Sequence, residues 1–228
     1  PMDFPGEMCD NEKVKTRVKH MEERVLHMYQ IKTIASMDEL DQGNTALVDI
    51  YNWGGDYRPV TRAVLCFIKD QGFALRLTCE EENPRATFTE QNTGVCRDSC
   101  LEFFANFRPD LPDTGYINFE GNANGALLCC YGSCVEERET IADMGLEHPL
   151  PKVIRGEGFW GYELMIPLSL IEGVYGPSPF ETGSVIRGNF FKCGDETEFP
   201  HFGSYTKIDW EYPSFHRPQF FAEMQITD

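Results

Sequence analysis

The chain has little positive charge. Its 228 residues carry 20 Lys and Arg against 37 Asp and Glu, for a formal net charge of −17. Such a balance repels nucleic-acid phosphates and anionic lipid surfaces, so neither is an expected partner. No apolar run is long enough to span a bilayer, and no secretory hydrophobic segment opens the sequence as given. A leader removed before Pro1 would leave no trace, so export stays open beside a cytoplasmic location. Several chemistries lack their motif. Gly121-Asn122-Ala123-Asn124-Gly125 runs from one strand pattern into another, not into a helix, so it is no phosphate cradle. No serine sits in a nucleophile elbow. The cysteine clusters, Cys96-x-x-x-Cys100 and Cys129-Cys130-x-x-x-Cys134, lack the two-residue spacing of common zinc motifs.

Nine cysteines is an odd number, whereas an extracellular disulfide framework is usually even. Cys66 and Cys79 lie inside apolar runs, where a thiol behaves as a small hydrophobe. These points favour a reducing, cytoplasmic compartment. Hydrophobic residues make up 41% of the chain, enough to fill a core. The 17 Phe, 9 Tyr, 20 Gly and 14 Pro suit sheets joined by many turns.

The pattern is organised around Asp98-Ser99-Cys100-Leu101-Glu102-Phe103-Phe104-Ala105-Asn106-Phe107. Leu101, Phe103, Ala105 and Phe107 share one side of an extended chain, which is the mark of a half-buried strand. Glu102 then lies on the opposite side, where it is expected to face solvent as part of a polar shelf. Similar alternation occurs at 29–34, 73–80, 116–120, 159–166, 185–193 and 220–226, and further strand-like runs lie at 46–51, 63–68 and 126–131. Asn118 is expected outward between Ile117 and Phe119, and Arg187 and Asn189 share a face opposite Ile186 and Phe190. Asn124-Gly125 signals a tight hairpin. Helical spacing of Val14, Val18, Met21, Val25 and Met28 points to a short amphipathic helix, the alternative being an ill-ordered extension before the domain proper. Leu168 to Ile171 reads as one helical turn ending before Gly173. Residues 132–158 lose the strand pattern and read as a rim insertion. The expectation is an all-β, two-sheet antiparallel sandwich over 29–228, one domain, preceded by an N-terminal extension over 1–28.

Five pieces occur in order: Asp98 to Phe104; Tyr116-Ile117-Asn118-Phe119 with Asn124-Gly125; Trp160-Gly161-Tyr162-Glu163 with Ile166-Pro167; Arg187-Gly188-Asn189-Phe190-Phe191-Lys192; and Trp210-Glu211-Tyr212-Pro213 with Phe215 to Phe221. The series resembles carbohydrate-binding module family 9 and its stand-alone relatives, from about residue 29 to the end. The resemblance implies a β-sandwich that binds mono- or oligosaccharides between two aromatic rings and a few polar groups. In some members it also implies structural calcium; no other cofactor is indicated. Glu102 matches the family's acidic piece and Asn189 its Arg-x-Asn-Phe piece. One departure stands out. The family's best-known members place a Trp just before the acidic piece, where this chain has Val95 and Cys96. Trp53, Phe88, Trp160 or Trp210 could supply a replacement ring, and the polar, Pro-rich flanks of Trp210 favour it.

The expected sugar-binding set is therefore Glu102, Asn118, Arg187 and Asn189, with Trp210 as the stacking face. Arg187 either orients Glu102 across the sheet or joins a surface ion pair. Two other readings remain at this stage. The sandwich could have lost sugar binding and serve protein interaction. Alternatively, Glu102 and Glu163 could form the carboxylate pair of a glycoside hydrolase.

Overall fold

A computed structural model describes residues 28–228. The helix expected from Glu12 onward lies outside them, apart from Met28. The strands are β1 (Tyr29–Ile34), β2 (Thr45–Leu47), β3 (Ile50–Gly54), β4 (Thr61–Ile68), β5 (Gly72–Cys79), β6 (Cys100–Asn106) and β7 (Tyr116–Asn122). They continue with β8 (Leu127–Gly132), β9 (Glu139–Thr140), β10 (Lys152–Gly156), β11 (Phe159–Pro167), β12 (Val185–Cys193), β13 (His201–Ser204) and β14 (Ala222–Thr227). One helix, α1 (Leu168–Tyr175), follows β11. It runs beyond Gly173 because the missing Cβ there admits Leu146, and it stops at Gly176, which has φ +79°.

The strands form one hydrogen-bonded path, β10-β11-β5-β4-β1-β14-β12-β6-β7-β8-β9. The path curls until its two halves face each other as a sandwich. Phe73 and Phe107 meet across the gap with ring centres 5.2 Å apart, and the Tyr162 hydroxyl donates to the Leu101 carbonyl at 2.9 Å. Gly121 sits where the halves cross, and a Cβ there would fall 2.6 Å from the Tyr162 ring. The sandwich is not wholly antiparallel. β1 pairs in parallel with both β14 and β4 and so joins the halves. The residues 132–158, expected as a rim insertion, contribute the short strands β9 and β10 to the two ends of the path. The hairpin predicted at Asn124-Gly125 links β7 to β8; Gly125 has φ +82°, and the Asn122 side chain accepts the Asn124 and Ala126 amides.

The alternation in β6 sorts its side chains as expected. Leu101, Phe103 and Ala105 enter the main core with Leu75, Tyr162 and Phe190. The opposite face differs from the expectation. Cys100, Phe104, Tyr116 and Phe191 build a second apolar layer there, roofed by Ile208, Phe215 and Phe221. Phe215 stacks on Phe191 at 4.3 Å and 11°. Both faces of β6, β7 and β12 are therefore buried.

Asp98 ties the loop before β6 to the sheet. Its carboxylate accepts the Thr87 and Phe88 amides at 2.8 and 3.0 Å, the Thr87 hydroxyl at 2.7 Å and the Asn122 amide at 2.9 Å. Burial alone would raise this carboxyl; the donors from Phe88, Thr87 and Asn122 outweigh it and hold it below its ordinary value. Asp98→Ala strands these donors in the interior and should cost about 3–5 kcal/mol, read as a lowered midpoint of denaturant unfolding.

His216 fastens the roof. Its ring lies 4.8 Å from that of Phe104, and Nδ1 is 2.7 Å from the Tyr116 hydroxyl. Burial, then the charges of Arg138 and Arg217, push the imidazole pKa down to about 3. In the unfolded chain it would titrate near 6.5. The folded state thus refuses a proton that the unfolded state takes, so stability falls as pH drops from about 6.5 towards 3 and is level above that window. His216→Gln should reduce the slope of stability against pH by about one proton in this range, measured by urea unfolding across a pH series.

Candidate functional site

The register of β6 against β7 sets Glu102 opposite Glu120 and Phe104 opposite Asn118. Facing side chains in such a ladder lie within about 5.5 Å at Cβ, so two carboxylates are held against one another. Both are buried, Glu102 at 2% exposure and Glu120 at 3%. Burial, then the facing Glu120, push the Glu102 carboxyl well above the usual carboxylate range. Glu120 is pushed up to about 7 by burial, against the pull of Arg138.

Arg138 comes from the segment just before β9. Its guanidinium donates to Glu120 at 3.3 Å and to the Asn118 side-chain Oδ1 at 3.2 Å, while Asn118 Nδ2 donates to Glu120 at 3.0 Å. Glu102 accepts the Cys193 thiol at 2.8 Å. The polar group forms the floor of a cavity of about 450 Å³ that Glu102, Glu120, Arg138 and Cys193 line. Phe202, Phe215 and His216 supply ring walls. This is a recess under a roof, not the open shelf expected from the alternation. Glu102 faces away from the main core, as read, but not into free solvent.

The other sequence-predicted residues lie apart from it. Asn189 is fully buried, and its amide is engaged at both ends: Nδ2 donates to the Thr206 carbonyl at 3.4 Å, and Oδ1 accepts the Thr206 amide at 3.0 Å. Arg187 stands opposite Asn106 and Glu223, while Phe191 stands opposite Glu102; Arg187 donates to the Phe221 carbonyl at 3.2 Å. Of the two readings of Arg187, the pairing with Glu102 is thus excluded by register. Arg187 lines a separate cleft of about 690 Å³ with Leu47, Tyr205 and Lys207. That cleft is larger, but it contains no comparable set of buried polar groups. Trp210 is exposed and covered by Arg217, 3.9 Å from its ring centre; it does not line the recess. Trp53 donates its indole N–H to the Trp210 carbonyl. Trp160 is a core residue whose indole donates to Glu81 at 2.9 Å. Glu163 pairs with Arg76 on the outer face of the other half of the sandwich, so it and Glu102 are not a catalytic pair.

Sequence reading missed Glu120, Arg138, Cys193 and Phe215. Glu120 could have been found, because it shares the parity of Asn118 on β7. Arg138 carried no periodic signal.

Among the described residues, the donor atoms of Cys100, Glu102 and Cys193 lie within 4.8 Å of one another, as a metal ion would require. This thiol-rich set does not fit calcium, which takes six to eight oxygen ligands. No described helix is long and apolar enough to cross a membrane.

Comparisons with known proteins agree with this architecture. A proposed carbohydrate-binding protein from Bacteroides uniformis superposes with a TM-score of 0.71 at 26% identity, covering 87% of this chain and 98% of that one. A family 9 carbohydrate-binding module from Caldicellulosiruptor kristjanssonii, in complex with cellotriose, gives 0.62 at 10% identity over 88% and 93%. The same organism's family 9 module in complex with glucose gives 0.60 at 11% identity over 87% and 95%. At 10–11% identity these two carry the fold alone. No curated protein matches the chain. Residues 34–226 match the family described as Carbohydrate-binding family 9, and the chain belongs to that family.

Proposed function

We propose that this protein binds a mono- or oligosaccharide, without cleaving it, in the recess floored by Glu102, Glu120 and Arg138, with Asn118 behind them. The observation that carries the reading is the buried polar group beneath ring walls. A sugar ring presents hydroxyls around its edge and C–H groups on its faces. Carboxyls and a guanidinium can exchange hydrogen bonds with the hydroxyls, and Phe215 or His216 can cover a face. The cellotriose and glucose complexes of family 9 relatives supply the class of ligand. Trp210, preferred from the sequence as the stacking ring, has no part in this reading, and Phe215 takes its place.

The roles divide by chemistry. Arg138 neutralises Glu120 and offers its remaining N–H groups to the recess. Burial and the facing Glu120 favour the protonated form of Glu102, which can donate as well as accept. Asn118 sits behind both and fixes the plane of Glu120. Asn189 and Arg187 keep supporting roles, fastening Thr206 and Phe221 of the roof.

Titration calorimetry with glucose, cellobiose and cellotriose tests this. Arg138→Met should weaken binding at least about tenfold, since it leaves Glu120 buried without its partner charge. Trp210→Ala should change affinity less than about twofold, as expected of an exposed ring outside the site. Absence of binding across a broader glycan array would overturn the reading, as would binding that is lost with Trp210 and kept in Arg138→Met.

A further inference from the structure

Glu102 has a second set of neighbours that sugar binding does not need. Cys193 on β12 stands directly opposite Cys100 on β6, and Glu102 follows Cys100 by two positions on the same face. The Cys193 thiol is 2.8 Å from a Glu102 oxygen. All three side chains are at least 98% buried. We infer that Cys100, Cys193 and Glu102 form a binding site for a thiophilic divalent cation, zinc by its donor set, at the floor of the recess.

The geometry meets the demands of such an ion. Tetrahedral zinc with sulfur at about 2.3 Å and oxygen at about 2.0 Å holds its ligand atoms about 3.5–3.8 Å apart. The three donors already lie within 4.8 Å of one another. The 2.8 Å thiol–carboxyl contact has to open by about 0.7 Å, within the reach of a side-chain rotation. Three ligands leave a fourth position on the recess side. The cavity opens on that side, so a water can complete the shell.

Entry and charge are also provided. Glu102 and Cys193 line the cavity, which gives a path from solvent, and Asp195 lines it too and is exposed. The chain's charge of −17 draws cations. As each metal–sulfur contact forms, the thiol releases its proton to water, and two thiolates and one carboxylate then face the dication. All eight cysteines among the described residues are free, so neither sulfur is committed to a disulfide. The proposal does not depend on the sugar reading.

The test uses the full chain, reduced and stripped with a chelator, then titrated with cobalt(II). A saturating one-to-one spectrum with thiolate charge-transfer absorption and tetrahedral d–d bands is expected, displaced by zinc. Cys100→Ser and Cys193→Ser should each weaken zinc at least about tenfold, and Glu102→Gln should weaken it while keeping the thiolate bands. Cys66→Ser, on the other half of the sandwich, should leave it unchanged. Zinc-edge X-ray absorption of the unaltered protein should count two sulfur neighbours, a readout that needs no variant to fold. An oxygen- and nitrogen-only shell, no tetrahedral cobalt spectrum, or a spectrum that survives both serine variants would overturn the site. Loss of sugar binding in Arg138→Met with zinc uptake intact separates the two proposals.

Discussion

A buried carboxyl that faces another carboxyl cannot keep both charges, and the recess is built around that restriction. Glu102 and Glu120 are fixed opposite each other by strand register, so neither can turn away without breaking the β6–β7 ladder. The arrangement survives because burial favours the protonated forms of the two carboxyls and Arg138 lies against Glu120. An apolar pair at these positions would pack with less cost, as buried ionic groups seldom add stability. The polar floor therefore costs stability that an apolar one would not.

The covering segment follows from the same restriction. A sheet with one wet face would let Glu102 ionise in water. Here Phe215, His216, Ile208 and Phe221 close the second face, and the roof is itself fixed by contacts to Phe191, Tyr116 and Asn189. Burial of the carboxyls and burial of the rings are therefore one event. A fault in the roof would both wet the floor and remove its aromatic walls.

Much of this was legible in local pattern. Alternation placed Leu101, Phe103, Ala105, Ile117 and Phe119 in the main core, and Asn124-Gly125 marked the hairpin, because both signals lie within a few residues. Alternation could say that Glu102 opposed the core, but not what covered it. That cover comes from residues more than a hundred positions away, whose own pattern is irregular. The pairing of Cys100 with Cys193 was hidden for the same reason, since register across 93 residues leaves no spacing motif. The two readings of Arg187 could not be separated from sequence because strand parity gives the face of a side chain but not its position along the neighbouring strand. The parallel pairings of β1 likewise have no local signature.

β1 and β14 lie side by side at the seam of the sandwich, with Tyr29 beside Met224. Nearly the whole domain is looped out between these two neighbours. During synthesis the ribosome must therefore release β14 before the halves can be stitched together, however early the individual hairpins form. Until then the seam strand β1 presents an unsatisfied edge, and it is at this interval that a nascent chain of this fold would most need a chaperone's shelter.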